Sequence, residues 1–276
     1  MRQFIVDSKP DSKGLITIGG KDFKYIRQVL RLSVGDMIKV FSEGICYDAT
    51  ICTIEENKKK IILQLCDLPQ TGESFEKTKI EGPEFYLLQF IPKPQKMELI
   101  IRQAVECGVS TIIPVIGEFT QKGSETSLLQ KKSSGTGRQE RIERIIREAM
   151  QQSGSLIETK VLEPMSLENA LKIVLQKVED LEKENKKSVL VSLYERNENS
   201  LTMHEAVAKV GEIDLGVVAV GCEGGISPTE IKLLNENGFN TIHFDINILR
   251  CETASLYGVA SLQTTVLESK KWKLKE

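Results

Sequence analysis

The sequence lacks the features that mark several large classes of protein. It contains no run of about eighteen apolar residues, which argues against a membrane-spanning helix. None of the six cysteines belongs to a Cys-x-x-Cys pair, so we expect no metal site. The segment Met1–Asp7 carries charge early and lacks the apolar core of a signal peptide. We therefore expect a cytoplasmic protein with reduced cysteines.

A strongly basic balance, the usual mark of a nucleic-acid-binding protein, is also missing. The chain carries 37 basic and 39 acidic side chains, a net charge of −2. These charges are unevenly distributed, because residues 1–80 hold 13 basic and 11 acidic side chains whereas residues 151–276 hold 14 and 19. Binding to RNA needs only a local basic surface, and the first half of the chain is able to supply one.

What the chain does contain is the composition of an ordinary globular protein, with one large domain or two smaller ones. Its 276 residues are 40% hydrophobic and 28% charged. Residues 1 to about 70 have the pattern of short strands separated by turns. A helix interrupts them after Asp22, a residue type that favours the N-cap position. The predicted strands, which together indicate a small β-barrel, are Gln3–Asp7, Ile38–Phe41, Ile45–Thr53 and Lys60–Leu65.

A polar segment over residues 71–84, interrupted by glycine and proline, predicts a linker. Beyond it strands and helices alternate, which favours an α/β domain with a mostly parallel sheet. Residues 121–137 are rich in Ser, Thr, Gly and Lys and have the composition of a loop. The predicted strands are Phe85–Phe90, Thr111–Ile116, Val189–Leu193 and Leu215–Val220, and the predicted helices are Lys96–Cys107, Gln139–Gln152 and Cys251–Leu267.

The segment Leu215–Glu230 combines an apolar strand, a glycine-rich loop and the start of a helix. Three glycines follow the strand, and glycine lets backbone groups approach a ligand closely. Ser227 at the N-cap, with Glu230 three residues later, predicts a capping box. The loop is neither a Gly-x-Gly-x-x-Gly fingerprint nor a P-loop. Spacing alone leaves open a tight strand-to-helix turn that binds nothing.

A second segment, Thr241–Ser255, leads from a short strand into an apolar final helix. Arg250, Glu252 and Thr253 lie near the start of that helix and are able to supply a cation, a carboxylate and a hydroxyl. The simpler alternative is that Glu252 and Thr253 cap the helix while Arg250 forms a surface ion pair. Residue types and spacing leave this choice open.

Together the two segments resemble the C-terminal signature of SPOUT-class methyltransferases, most closely the RsmE-type family, which methylates N3 of a uridine in 16S ribosomal RNA. The family pattern reads Gly-Pro-Glu-Gly-Gly and then Leu-Gly-x-Arg-Ile-Leu-Arg-x-Glu-Thr-Ala. This chain has Gly221-Cys-Glu-Gly-Gly225 and Phe244-Asp-Ile-Asn-Ile-Leu-Arg-Cys-Glu-Thr-Ala254. Further similarities, which extend the resemblance over nearly the whole chain, are Val29-Leu-Arg31 with Gly35-Asp36, Lys93–Glu98 with Ala104–Val109, and Arg147-Glu-Ala-Met-Gln-Gln-Ser153.

The resemblance implies a PUA-like RNA-binding β-barrel over residues 1–72 and a SPOUT methyltransferase domain over residues 73–276. The second domain is expected to be α/β with a trefoil knot, and the knot and the cofactor site are expected at about residues 190–267. The family is homodimeric, which makes the apolar final helix a candidate subunit interface. The cofactor implied is S-adenosyl-L-methionine, bound by Leu193, Val220, Gly221, Glu223, Gly224, Ile248, Leu249, Arg250, Thr253 and Ala254.

Methyl transfer to a uridine requires a proton acceptor and a way to stabilise charge. Uridine N3 keeps its proton until about pH 9, so a base or an anion-stabilising donor is needed near neutral pH. Arg250 is suited to stabilise charge that develops on a uracil carbonyl oxygen, and Glu223 or Glu252 is suited to accept the proton. We therefore expect Arg250, Glu223 and Glu252 to be catalytic.

Four basic residues are candidates for RNA contact: Arg31 in the barrel, Lys93 and Lys96 before the first α/β helix, and Arg147. Arg147 belongs to a helix in which an arginine recurs every third residue, and these arginines suit phosphate contact and pairing with adjacent glutamates equally well. The expected partner is 16S ribosomal RNA within the small ribosomal subunit. Because N3 lies on the pairing edge, the target base must be unpaired or flipped out of its stack.

The chain departs from the family pattern at four positions. Cys222 replaces proline, Asp245 and Asn247 replace glycine and arginine, and Ser155 replaces an arginine. These departures keep two alternatives open: a non-catalytic RNA-binding factor for ribosome assembly, and a SPOUT methyltransferase that acts on a different RNA. A cysteine hydrolase built on Cys222 and His243 is a weaker alternative, because no third orienting group is evident.

Overall fold

The computed structural model describes residues 3–6, 8–42, 45–66, 82–124, 138–197, 200–245 and 247–269. Backbone contacts divide the chain into two units: Met1–Ile80 with Met150–Glu158, and Glu81–Ala149 with Thr159–Glu276. Most of the predicted linker at 71–84 and most of the loop predicted over 121–137 lie outside the described residues. Within the described residues, no helix is both long and apolar enough to cross a membrane.

The first unit contains a five-stranded sheet. Its strands are β1 (Gln3–Ile5), β2 (Leu15–Gly19), β3 (Met37–Ser42), β4 (Ile45–Glu55) and β5 (Lys60–Leu65). The strand order is β1-β3-β4-β5-β2, in which β1 is parallel to β3 and the other neighbours are antiparallel. The four strands predicted for this part of the chain are present with ends that differ by up to two residues, and β2 is an additional strand.

The helix of the first unit begins earlier than the sequence pattern predicts. α1 (Gly20–Lys24) contains Asp22 in its first turn, so the prediction that Asp22 is the N-cap was wrong. Gly20 has a φ of +61°, a conformation that glycine adopts without steric cost, and it already turns the chain from β2 into the helix. The chain then continues as a π-helical turn over Tyr25–Val29.

The second unit is built on a parallel sheet. Its strands are β6 (Glu84–Phe90), β7 (Thr111–Ile116), β8 (Lys160–Val161), β9 (Met165–Ser166), β10 (Ser188–Leu193), β11 (Leu215–Val220) and β12 (Asn240–Ile242). The order is β12-β10-β11-β6-β7-β8, with β9 also paired to β7, and every pair is parallel. The predicted parallel α/β architecture is therefore confirmed.

Helices alternate with the strands of this sheet along the chain. They are α2 (Pro94–Glu106), α3 (Arg138–Ser153), α4 (Leu167–Lys183), α5 (Met203–Ala208), α6 (Pro228–Glu236) and α7 (Cys251–Ser269). The predicted helices correspond to α2, α3 and α7 within two residues at each end, and the capping box predicted at the start of α6 is present. α4 and α5 were not predicted.

Burial on both faces explains why β11 is apolar at every position without alternation. Its side chains Leu215, Val217 and Ala219 join an apolar cluster that includes residues of α4 and α6. On its other face β11 contacts α7, where Gly216 leaves room for Leu262: a Cβ atom on Gly216 would lie 3.1 Å from Cδ2 of that leucine. The sheet is thus fixed between two helical layers.

The direction of the strands decides where a ligand is able to bind. β6, β10, β11 and β12 are mutually parallel, so their carboxyl ends meet at one edge of the sheet. Ligands of open α/β sheets lie outside this edge. The chain segments that leave β10, β11 and β12 are the two segments that the sequence analysis singled out, together with residues 194–197.

Candidate functional site

A cleft of about 560 Å³ opens at the carboxyl ends of β10, β11 and β12. A volume of this size is typical of a small-molecule site. The cleft is lined by residues 193–195, 220–225, 242–244 and 247–251, with Lys96 from α2 and Ala254 from α7. Segments far apart in the sequence therefore meet in one concave surface.

Backbone crowding explains the glycines of the segment 221–225, which we call the glycine loop. A Cβ atom on Gly221 would lie 2.5 Å from the carbonyl carbon of Gly225, so a side chain at this position would force the loop open. Gly225 has a φ of +80°, a conformation that favours glycine. A Cβ atom on Gly224 would lie 2.8 Å from Cβ of Phe119. All five residues of the loop line the cleft, and three of them carry no side chain.

The capping box at the start of α6 also connects two loops. Ser227 Oγ accepts a hydrogen bond from Glu230 N at 3.2 Å, and Glu230 Oε2 accepts one from Ser227 N at 2.9 Å. The other carboxylate oxygen, Oε1, accepts a hydrogen bond from Glu118 N at 2.7 Å. Glu230 thus ties the segment after β7 to the end of the glycine loop.

A fully buried glutamine at the end of β6 is hydrogen-bonded to the glycine loop. Gln89 Nε2 donates to the carbonyl oxygens of Phe90 at 2.9 Å and Gly221 at 3.2 Å. Its Oε1 lies 2.6 Å from Ser255 Oγ, which also lies 2.7 Å from the carbonyl oxygen of Cys251. One amide therefore links β6, the glycine loop and the first turns of α7.

Three charged side chains meet at the edge of the cleft. Lys96 Nζ lies 2.9 Å from Glu252 Oε2 and 3.6 Å from Glu223 Oε1. The hydrogen bond to Glu252 is the main reason that the pKa of Lys96 is raised. Burial acts to raise the pKa of Glu252, but hydrogen bonds to the backbone, Lys96 and Cys251 outweigh it, so the pKa is lowered. At neutral pH the lysine is a cation and Glu252 a carboxylate.

Two buried cysteines line the cleft, and both hold their protons. Burial raises the pKa of Cys222, and burial together with the hydrogen bond to Glu252 raises the pKa of Cys251 to about 12. A thiol with a raised pKa is a poor nucleophile at neutral pH. His243 Nδ1 lies 3.2 Å from the carbonyl oxygen of Tyr194, so this nitrogen is engaged by the backbone. The geometry does not favour a cysteine hydrolase.

Residues 80–263, well over half of the chain, match the model of the family described as RNA methyltransferase domain. The chain belongs to that RNA methyltransferase family. Relatives of this methyltransferase agree with the RsmE-type resemblance of its motifs. Proteins named ribosomal RNA small subunit methyltransferase E are 28% identical in Aquifex aeolicus, over 87% of this chain and 90% of the relative, and 26% identical in Bacillus subtilis, over 91% of each.

The fold of the RNA methyltransferase also has a solved counterpart. A crystal structure of ribosomal RNA small subunit methyltransferase E from Neisseria gonorrhoeae, bound to S-adenosyl methionine, superposes with a TM-score of 0.70. The two sequences are 22% identical, and the superposition covers 96% of this chain and 97% of the other. At this identity the similarity shows a common fold.

The structure brings most of the predicted site residues of the methyltransferase together. All residues predicted to bind the cofactor line the cleft except Thr253, which is exposed on the first turn of α7. Arg250 and Glu223, two of the predicted catalytic residues, line the cleft, and Glu252 contacts Lys96 at its edge. Which of these residues bind or react stays a prediction.

The residues predicted to contact RNA are more scattered. Lys96 lies in the cleft, and Lys93 is exposed directly before α2, where its amide donates to Glu223 Oε1 at 3.2 Å. Arg31 belongs to the first unit, is exposed and has a φ of +57°, which is uncommon outside glycine. Arg147 is half-buried on α3 and does not line the cleft.

Several residues of the site were missed by sequence reasoning. Tyr194 and Glu195 line the cleft because they follow directly on β10, whereas His243, which follows β12, was considered only for a cysteine hydrolase. The rule that ligands bind at carboxyl strand ends would have found them had it been applied to these strands as it was to β11. Gln89 also gave a signal, since it is an amide in an otherwise apolar strand end, and a polar side chain in such a strand needs a partner.

Proposed function

We propose that the protein transfers a methyl group from S-adenosyl-L-methionine to N3 of a uridine in 16S ribosomal RNA. Membership of the RNA methyltransferase family supports the reaction class. The names of the relatives support ribosomal RNA of the small subunit as the substrate, and the Neisseria gonorrhoeae structure supports the cofactor. The choice of N3 rests on the resemblance to RsmE-type proteins.

The observation that carries the proposal is the cleft at the carboxyl ends of β10, β11 and β12. Its glycine loop offers backbone groups where side chains would clash, which suits a ligand that is recognised through main-chain hydrogen bonds. Its lining also supplies carboxylates, at Glu195 and Glu223, which suit a cationic ligand. S-adenosylmethionine carries a sulfonium cation and fits a cavity of about 560 Å³.

The chain's own residues have to position the uracil, remove its proton and stabilise the charge that remains. The sulfonium supplies a methyl group that is already activated for transfer. Arg250 lies in the cleft and is suited to donate to a uracil carbonyl oxygen as negative charge develops on it. The proton on N3 passes to Glu223, because this carboxylate lines the cleft whereas Glu252 is paired with Lys96 at 2.9 Å. The N3–CH₃ bond forms as the bond from the methyl group to sulfur breaks, which leaves a neutral thioether.

Recognition of RNA is the part of the proposal that extends beyond the cleft. The first unit, taken as a PUA-like barrel over about residues 1–72, contributes Arg31, and the methyltransferase domain over residues 73–276 contributes Lys93 and Arg147. All three are basic side chains of the kind that commonly contact phosphate. Because N3 lies on the pairing edge of uridine, the target nucleotide has to be unpaired when it enters the cleft.

Three further features belong to the proposal. The chain over about residues 190–267 is threaded as a trefoil knot, as in SPOUT proteins, and the protein acts in the cytoplasm. It acts as a homodimer through α7, which exposes Leu256, Tyr257 and Leu267. Exposed apolar side chains on one helix are typical of a surface that a partner covers. Sedimentation equilibrium of the wild-type protein and of Leu256→Lys tests this arrangement, and a wild-type monomer at micromolar concentration would contradict it.

The test of the proposed function combines cofactor binding with methyl transfer. Calorimetric titration with S-adenosylmethionine is expected to show micromolar binding. Incubation with labelled cofactor and small ribosomal subunits from a strain that lacks the modification is expected to label 16S RNA at one uridine, located by a reverse-transcription stop. Arg250→Ala should lower the rate of transfer about 10²- to 10³-fold, whereas Arg102→Ala, an exposed change on α2 outside the cleft, should not.

The departures from the family pattern define the contrary outcome. Asn247 lines the cleft and Asp245 lies two residues before it; both are exposed, and RsmE-type proteins have arginine and glycine at these positions. A protein that binds small subunits but neither binds the cofactor nor transfers methyl groups would be a ribosome-assembly factor. Methylation of another RNA, with no transfer to 16S RNA, would show that the protein is a methyltransferase with a different RNA substrate.

A further inference from the structure

Lys96 lies between two carboxylates that come from different parts of the chain. Glu223 belongs to the glycine loop, Glu252 belongs to the first turn of α7, and Lys96 itself lies in the first turn of α2. Its Nζ lies 2.9 Å from Glu252 Oε2 and 3.6 Å from Glu223 Oε1. One ammonium group therefore joins three segments that border the cleft.

The three side chains are shielded from solvent to a degree that ordinary surface pairs are not. Lys96 is 28% exposed, Glu223 26% and Glu252 16%. The surface pair Arg144–Glu148, by comparison, is 66% and 57% exposed. Charges that are partly withdrawn from water interact more strongly and are screened less by salt than exposed ones.

Each carboxylate also has a second partner, which fixes its orientation. Glu223 Oε1 accepts a hydrogen bond from Lys93 N at 3.2 Å. Glu252 Oε2 accepts one from Cys251 Sγ at 3.3 Å. Removing Lys96 would leave two like charges near each other without the cation between them, and like charges at such a site repel.

We propose that Lys96 is a positioning residue, which bridges Glu223 and Glu252 so that the glycine loop and the start of α7 stay in the arrangement that binds the cofactor. The inference rests on the proposed function for its link to catalysis. Lys96 therefore does not have the role in RNA contact that the sequence predicted, since an ammonium group held by two carboxylates is not available to a phosphate. The ammonium group of Lys96 also keeps Glu252 ionised. The titratable groups that face Glu252 are Lys96, Cys251 and Glu223.

The test compares three variants of the full chain. Lys96→Met removes the charge and keeps the length of the side chain, and Lys96→Arg keeps the charge. Lys177→Met is the matched control, because Lys177 is 31% exposed, pairs with Glu84 at 3.1 Å and does not line the cleft. The measurements are the affinity for S-adenosylmethionine between pH 5 and 7, and the salt dependence of binding to 16S RNA.

The positioning role predicts that Lys96→Met weakens cofactor binding about tenfold and that Lys96→Arg restores most of the loss. The loss of affinity toward low pH should begin at higher pH in Lys96→Met, because Glu252 takes up its proton more readily without the cation. The slope of RNA affinity against salt should stay unchanged. Lys177→Met should resemble the wild type in cofactor affinity, in the pH dependence of that affinity and in the salt slope. If Lys96→Met instead lowers the slope of log RNA affinity against log salt by about one and leaves cofactor affinity unchanged, the inference is overturned and Lys96 contacts phosphate.

A readout that does not use the cofactor separates this inference from the proposed function. The amide of Lys93 donates to Glu223 Oε1, so its hydrogen exchange, followed by NMR, reports whether that carboxylate is held. Exchange at Lys93 should be faster in Lys96→Met and unchanged in Lys177→Met. Faster exchange in a protein that binds no cofactor would reject the proposed function and keep the bridge. Unchanged exchange in Lys96→Met would reject the bridge itself, whatever the cofactor does.

Discussion

The hydroxyl of Ser255 lies 2.6 Å from Oε1 of Gln89, and neither side chain reaches solvent. The two residues are separated by 166 positions in the sequence, yet this contact fixes the start of α7 against the end of β6. Because Gln89 Nε2 also donates to the carbonyl oxygen of Gly221, the position of the glycine loop depends on the same amide. A buried polar group of this kind is costly to leave unpaired.

Gln89→Leu should therefore weaken both folding and cofactor binding. It removes the donor to the Gly221 carbonyl and the acceptor for the Ser255 hydroxyl, and buried groups left unpaired cost about 1–3 kcal/mol. Urea unfolding and calorimetric titration with S-adenosylmethionine measure the two effects. Ser255→Ala should have the smaller effect on binding, and Gln176→Leu, an exposed change on α4, should have neither. Equal effects of Gln89→Leu and Gln176→Leu would disprove the supporting role.

Gly221→Ala should abolish cofactor binding while the protein still folds. The added Cβ atom would lie 2.5 Å from the carbonyl carbon of Gly225, so the glycine loop has to open. Gly19→Ala is the control, since its Cβ atom would meet Lys59 O at 3.7 Å, an ordinary contact distance. Calorimetry measures binding, and circular dichroism confirms the fold. Micromolar binding by Gly221→Ala would show that the cofactor does not need the closed loop.

Glu230 both caps α6 and holds the segment after β7, and a comparison of Glu230→Ala with a second capping-box variant should distinguish these two roles. The loss of the capping box at α6 and of the hydrogen bond from Glu118 N should destabilise the protein by about 1–3 kcal/mol and release the segment after β7. Glu205→Ala is the matched control, because Thr202 and Glu205 form a capping box at the start of α5 that has no such second bond among the described residues. Thermal unfolding should detect both changes. Only Glu230→Ala should weaken cofactor binding, and the same loss in Glu205→Ala would contradict the link between the loops.

Cys251 should resist alkylation that modifies the exposed cysteines. Its pKa is raised to about 12 by burial and by the hydrogen bond to Glu252, so at pH 8 only about one molecule in ten thousand carries the reactive thiolate. Mass spectrometry after treatment with iodoacetamide at pH 8 should show Cys52 and Cys66 labelled and Cys251 intact. Labelling of Cys251 should appear after unfolding in urea. Rapid labelling of the folded protein at Cys251 would mean that the first turn of α7 is open.

Local sequence patterns were sufficient to predict those elements whose structure depends on residues adjacent in the sequence. Continuous apolarity marked β11 with its ends at Leu215 and Val220, because a strand buried on both faces has no polar side. Ser227 and Glu230 marked the start of α6, since a capping box is complete within four residues. The helix after β2 was misplaced because Asp22 resembles an N-cap, while Gly20 supplied the turn.

The sequence by itself determined the change from a strand-rich first part to a parallel α/β second part and most motif residues of the cleft, because spacing, apolarity and capping act over a few residues. Only the tertiary structure decided that Lys96 joins Glu223 to Glu252 and that Gln89 lies under Gly221. Those contacts join residues more than a hundred positions apart. They arise because parallel strands bring their carboxyl ends to one edge of the sheet, and hydrogen bonds and ion pairs depend on distances of about 3 Å that no local pattern encodes.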